Sequence, residues 1–527
     1  MKKIAAILGF LLCAHIGFAQ TTQIVKGKVL DEASKQALIG VSVELIHPEL
    51  KGVGAVTDEQ GYFRIENVPL GRQSFKVSYV GYEDKIFADI IVTAGKEIFL
   101  NVSLQEQITD IEAVTVTYDR TKDGKVTNNE YATLSARSFN TEDTKRYAGA
   151  LGDPSRMAAN FAGVISGNDS RNDLVVRGNS PAGMLWQLEG LNIPNPNHFG
   201  ALGTTGGPVS ILNNNVLAKS DFMTSAFPAQ YGNANAGVFD LRMREGNKDK
   251  HEFVGQVGFN GFEVGAEGPF SKKYGGSFLL NYRYSTLSFF KTLGINFGTG
   301  NATPNYQDLS LKIDLPVSKK GKISIFSIAG KSDVSFLGNE EDTTKTNFYG
   351  NENSNTIVNY ATGILGTSYE HQLSAKTNAK ITFGLMGTQE EFLGDSISIS
   401  TREAFRSGEA KFTTEKYATN LMINHKFNAK NSLQIGANLD YLQFNLFNKE
   451  IYGGGVAESV QVNINDATTL LQGYAQWKHR FNALLTLNAG LHWQNYSLNT
   501  QNVIEPRVAL KYLIGSKQSI SMGLWSA

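Results

Sequence analysis

The sequence predicts a mainly β protein in three parts: a small N-terminal β-sandwich, a compact α/β unit, and an antiparallel transmembrane β-barrel. Three observations predict it. Short strand-like runs separated by Gly and Asp turns fill residues 24–104. Helix-start and strand signals occur together in residues 145–245. An apolar/polar alternation of period two runs through residues 250–527. Gly (53), Phe (31) and Tyr (20) are abundant, and no apolar stretch beyond the extreme N-terminus is long enough for a membrane helix. Barrel strands cross with every second residue apolar, so they leave no such stretch.

The N-terminus sets the compartment. Lys2 and Lys3 precede an apolar run from Ile4 to Leu12, and Gly17-Phe18-Ala19 offers small residues before Gln20. Residues 1–19 therefore read as a secretory signal peptide. Cys13 is the one cysteine, and Leu12 before it disfavours lipidation. The mature chain then has no thiol for a disulfide or a thiolate metal site. Charge balances at 49 against 49, or 47 against 49 without Lys2 and Lys3. Nothing in it favours nucleic acid, and no cofactor or metal is expected.

Residues 24–104 contain IVKGKVLD, VSVELI, GYFRIENV, FKVSYV and KEIFLNVSL, spaced as in a sandwich. Residues 105–144 are a polar linker, except for a β-branched run at 108–117. That run reads either as the last sandwich strand or as a free strand suited to pair with another protein's sheet edge. In residues 145–245, Asp153-Pro154 is a helix start, with Met157 and Phe161 on one helical face. Leu174–Arg177 and Met184–Glu189 read as a strand pair.

Beyond residue 250, LSLKIDL sets Leu309, Leu311 and Ile313 against Ser310, Lys312 and Asp314. AKITFGLMG and LLTLNAGLHW alternate in the same way. Short joins such as 316–321 and 428–431 alternate with long polar segments at 332–356 and 387–410. That favours periplasmic turns and extracellular loops over a soluble sandwich. About 13 strands of this kind would close to a diameter of roughly 26 Å. A unit of 134 residues (112–245) is about 35 Å across and does not fit inside. A complete barrel of about 22 strands, roughly 44 Å wide, holds it. The expectation is a partial barrel.

The order of parts resembles the TonB-dependent outer-membrane receptors, a group that includes SusC-like proteins. Gly27, Asp31, Thr57-Asp58, Gly61-Tyr62-Phe63 and Gly81-Tyr82 resemble the carboxypeptidase regulatory-like domain, an immunoglobulin-like fold without catalytic residues. DLVVRGNSPAGMLWQLEGLNIPNPNHF resembles the family's plug motif through Arg177-Gly178 and Glu189-Gly190, where Asp-Gly is common. FPAQYGNANAGVFDLRMREG resembles the plug's end, through Tyr231-Gly232 and Gly237. Ile111, Glu112, Ala113, Val114, Thr115, Val116 and Thr117 stand where the family has its TonB-interacting box.

The resemblance implies a receptor in the outer membrane of a Gram-negative bacterium, with a periplasmic N-terminal domain. It implies import of an extracellular nutrient driven by the TonB protein. Outer-membrane lipids and a surface lipoprotein lid are further expected partners. His198, Phe199, Thr204 and Thr205 are the ligand-contact candidates, on or beside a glycine-rich loop at 200–207. Arg177 and Glu189 are the candidates for tying the plug to the barrel wall.

Two other classes compete. Arg177, Glu189 and His198 form a possible catalytic trio, but no G-x-S-x-G, H-E-x-x-H or P-loop occurs, so an enzyme is not expected. A passive porin-like barrel, or a signalling receptor of the same fold, is the other alternative.

Overall fold

The computed structural model describes residues 21–50, 52–108, 127–140, 144, 147–258, 261–271, 274–285, 304–338, 351–452, 457–514 and 518–525. Residues 1–19, read as a signal peptide, and Ile111–Thr117 lie outside them. The chain divides into two compact units, Met1–Asp123 and Gly124–Ala527.

The first unit is a seven-stranded sandwich. Thr22–Asp31 pairs antiparallel with Tyr62–Pro69 and parallel with Ile98–Leu104. Facing them is a four-stranded sheet of Gly54–Val56, Ser42–Ile46, Gly71–Ser78 and Lys85–Val92. Strict alternation in Thr22–Asp31 puts Val25 and Val29 at 0 % exposure against Val43, Phe75 and Val77. Gly27 is obligatory in this core, because a Cβ there would sit 1.9 Å from the Leu100 carbonyl oxygen.

The second unit has a globular part and a wall. The globular part is built on a mixed five-stranded sheet: Leu191–Asn192, Met184–Leu188, Gly237–Leu241, Ser220–Met223 and Ala136–Phe139. Its central strands, Met184–Leu188 and Gly237–Leu241, run parallel and are buried at every position. Trp186 stacks on Phe239 at 4.3 Å, which fixes the middle of the core. Its α-helix in the described residues is Pro154–Ala158, capped by the Asp153 side chain as the sequence suggests.

Two details differ from the sequence reading. Leu174–Val176 pairs with Val164–Ser166 and not with Met184–Leu188; Arg177-Gly178 closes its own tight turn instead, with a bridge from Val176 to Asn179. Ala136–Phe139, in the stretch read as linker, is the edge strand of the five-stranded sheet, paired with Ser220–Met223.

The wall is a 13-stranded antiparallel sheet in strictly sequential order, from Glu252–Gly258 to Ser519–Trp525. Its burial is inverted relative to a soluble sheet. Leu309, Phe383, Leu385, Leu491 and Trp493 are exposed, while Ser310, Lys312, Asp314, Thr382, Asn488 and His492 are buried. The polar face covers the globular part, and the apolar face is exposed. Of the long polar segments read as loops, 387–410 is mostly strand, its ends belonging to Thr377–Ile397 and Ala404–Asn428, which have 21 and 25 residues; residues 339–350 of the segment 332–356 lie outside the described residues. A membrane needs about 9–11 per strand. Backbone pairing continues beyond that length because neighbouring strands satisfy one another's peptide groups, whatever the side chains.

Candidate functional site: the plug–wall seam

The seam between the globular part and the wall is mixed: wall residues such as Phe326, Ile328, Ile364 and Met386 share a buried apolar cluster with Leu191, Ile193 and Ile211, and charged ties that start from tight turns flank it. Glu189 (φ 53°) and Gly190 (φ 96°) form a two-residue turn between Leu188 and Leu191. Both residues have φ > 0, as a type I′ hairpin requires. The turn lifts the Glu189 carboxylate off the sheet and toward the wall. Lys312 Nζ donates to its Oε1 at 2.5 Å, and Lys380 Nζ donates to its carbonyl oxygen at 3.1 Å. The Met243 amide donates to the same Oε1 at 2.9 Å. Burial raises the carboxyl's pKa, but Lys312 and Lys380 more than reverse this and hold it well below the ordinary range. Glu189 is therefore an anion clamped between two wall strands.

Arg177 behaves differently. It also sits in a two-residue turn of positive φ, with Gly178. Its Nη2 donates to Ser135 Oγ at 2.8 Å, within the globular part, and its side chain is exposed. The expectation that Arg177 ties plug to wall is corrected: it braces the segment leading into Ala136–Phe139.

His198 was a ligand-contact candidate, and the structure places it in the seam. It is 1 % exposed, with Nε2 3.1 Å from Asp308 Oδ2 on the wall. Arg283 shares that carboxylate, with Nε donating at 2.8 Å. Burial lowers the imidazole pKa despite Asp308, so the ring is neutral and Nε2–H donates to the carboxylate. Phe199 continues the contact: its amide donates to Ser332 Oγ at 3.3 Å, and its ring meets Tyr360 edge-on at 5.9 Å. Thr204 and Thr205 turn inward instead, donating to the Ala201 carbonyl at 2.7 Å and the Pro181 carbonyl at 2.5 Å. The glycine-rich loop is held at both ends. Asn195 and Arg171 donate to the Gly206 carbonyl, and the Leu202 amide donates to Glu390 on the wall at 2.8 Å.

Tyr231 and Gly232 form the opposite end of the seam. Tyr231 is fully buried, donates to Asp240 Oδ2 at 2.9 Å and accepts from Asn129 Nδ2 at 2.9 Å. Burial, then Asp240, raises its phenol well above the ordinary value. Arg507 on the wall donates to the carbonyls of Pro228 (2.7 Å) and Tyr231 (2.6 Å). Gly232 lies so close to the wall that a Cβ would fall 2.4 Å from His492 Nε2. Gly237 packs inside the sheet, with Met184 Sδ 3.0 Å from where its Cβ would be.

Arg177, Glu189 and His198 are thus engaged by three separate partner sets and do not form one cluster. Sequence reasoning missed Asp308, Arg283 and Arg507. The available signal was position: Lys312 and Lys380 already stood on the polar face of alternating strands, where a charge needs a partner.

The chain resembles several solved structures in fold. The ferric enterobactin receptor PfeA of Pseudomonas aeruginosa (R480A_Q482A mutant) matches with a TM-score of 0.52 at 12 % identity, over 74 % of this chain and 61 % of that one. The siderophore receptor PirA of Acinetobacter baumannii matches at 0.51 and 14 %, over 74 % and 60 %. FpvA of P. aeruginosa, solved with heterologous pyoverdines, matches at 0.55 and 12 %, over 73 % and 56 %.

The chain has the fold of the TonB-dependent outer-membrane receptors.

It spans about six-tenths of the length of these receptors. The CarboxypepD_reg-like domain model matches residues 25–129, which include the whole N-terminal sandwich after its first strand begins. No curated protein matches the chain in sequence.

Proposed function

We propose that the chain is a TonB-dependent receptor that binds an extracellular nutrient and imports it through the outer membrane. The observation that carries the reading is the chemistry of the seam. A soluble two-layer protein would join its layers through apolar residues. Here an apolar cluster around Ile328, Ile364 and Met386 is supplemented by buried charged and hydrogen-bonded ties, as Glu189 with Lys312 and Lys380, His198 with Asp308, and Arg507 with the Tyr231 carbonyl illustrate. Such contacts suit a body that leaves and re-enters a wet lumen, because water replaces each bond as it breaks. A passive pore needs an open bore, and the plug fills the polar face.

The outer membrane has no ATP and no ion gradient, so plug movement needs work delivered from the inner membrane. Residues 111–117 would receive it by pairing edge-to-edge with the TonB protein in the periplasm, on the same side as the N-terminal sandwich. The exposed apolar face of the wall would meet outer-membrane lipids, and a surface lipoprotein would cover the opposite opening. Deleting Ile111–Thr117 tests the reading. Uptake of the nutrient is lost while its binding at the cell surface persists; uptake that continues at the wild-type rate refutes energy coupling.

A further inference from the structure

The wall does not keep one character along its length. Below the plug's apex its inner face is covered by the plug, with apolar residues such as Ile328, Ile364 and Met386 buried among the charged ties. Above it, strand register brings together a patch of another kind. Tyr360 packs on Phe199 and Glu390 accepts from the Leu202 amide, so both point to the plug side. Register partners share a face. Glu390 stands opposite Phe412, Phe412 opposite Leu446, and Leu446 opposite Ile464. One step down, Thr414 stands opposite Phe444, and Phe444 opposite Asp466. One step up, Phe392 stands opposite Ala410.

The result is a lumenal surface of Phe392, Phe412, Phe444, Leu446 and Ile464, just beyond the plug's outermost contacts. Phe392 is 41 % exposed and Ile464 46 %. These are not lipid-facing residues: the lipid-facing positions of the same strands are their odd-numbered neighbours, such as Tyr417 and Leu439. An exposed apolar patch inside an aqueous lumen loses free energy until a ligand covers it. Between Tyr360 and Ile464 the charged residues of these three cross-strand rows are Glu390 and Asp466, both acidic; one row runs on to Asp308 and Arg283, which pair with each other.

We infer that the ligand of this receptor presents an apolar, preferably aromatic, face to this patch and carries no net negative charge. An anionic metal chelate would meet two carboxylates here, and the nearest wall cations, Lys416 and Arg283, are already paired with Asp440 and Asp308. A neutral or cationic amphiphile gains apolar burial, ring contacts and, if charged, attraction from both the acidic groups and the Phe faces. The inference rests on the receptor reading and narrows its substrate class.

The test uses the full chain in lipid nanodiscs and calorimetric titration. One probe is the amide of an apolar tripeptide, Leu-Phe-Leu, with its single positive charge. The second is the same tripeptide as the N-succinyl free acid, which is anionic. The amide binds, and the succinylated acid binds at least tenfold more weakly. Phe412→Ser and Leu446→Ser each weaken the amide by about tenfold, as expected for losing most of a buried apolar side chain, whereas Phe412→Leu stays close to wild type. Heat-resistant electrophoretic migration of each variant verifies the folded barrel. Equal binding of the anionic probe, unchanged binding in both Ser variants of verified fold, or no binding of the amide at millimolar concentration overturns the inference. The receptor reading is judged separately, by whether deleting residues 111–117 removes uptake while leaving this binding intact.

Discussion

At the scale of single residues, Glu189 and His198 do opposite electrostatic work in the same seam. Glu189 is charged and doubly paired; removing its charge leaves Lys312 and Lys380 buried without it. Glu189→Gln should weaken the plug–wall junction by about 3–5 kcal/mol, read as leakage of a small antibiotic into otherwise intact cells. The pH behaviour follows from the signs. The Glu189 carboxyl lies below its ordinary value of 4.5 in the folded chain, so its contribution is fully present above that value and fades as pH falls through the lower folded one. His198 also lies below its ordinary value, 6.5, and is held neutral. Its penalty on acidification therefore starts just below pH 6.5, well before Glu189 responds. A His198→Gln variant should lose the part of the acid weakening that sets in between pH 6.5 and 5 and retain the part at lower pH. Thermal melting at stepped pH measures both.

At the scale of elements, the tight turns and the alternating strands carry the design. Gly190 occupies the second position of a type I′ turn that aims Glu189 at the wall. Gly190→Val forces a β-branched residue to φ near 96° and should cost at least 1–2 kcal/mol in melting free energy by order of magnitude, with loss of the Lys312 contact. These turns were legible in the sequence as Arg-Gly and Glu-Gly pairs, but their direction was not. Nothing local to Arg177 says that its partner is Ser135, in a segment 42 residues earlier, rather than the wall. The alternating strands were legible because lipid on one face and water on the other impose period two. Their true length was not, because strand extension beyond the membrane depends on a neighbour to pair with and not on an apolar face. The same limit hid Ala136–Phe139, four residues whose strand identity comes from Ser220–Met223 beside them. The inverted burial gives a direct check: Leu491→Arg, on the exposed apolar face, should destabilise the folded barrel by about 2–4 kcal/mol if it sits near the bilayer midplane.

At the scale of the whole molecule, the account requires the plug to move against the wall during each transport cycle. Ala229 on the plug and Gly490 on the wall allow that motion to be blocked: a Cβ at Gly490 would lie 2.8 Å from the Ala229 Cβ. Paired cysteines bridge at Cβ separations of about 3.5–4.5 Å, which a small outward shift supplies. Cys13 is the one cysteine of the 527 residues, so replacing it with Ser leaves the added pair without a competitor among them. The decisive measurement is energised uptake by cells carrying Ala229→Cys together with Gly490→Cys, under oxidising conditions and again after reduction. The account predicts that the oxidised receptor binds its ligand but imports none, and that a reductant restores import. Import at the wild-type rate while the bridge is intact would contradict it.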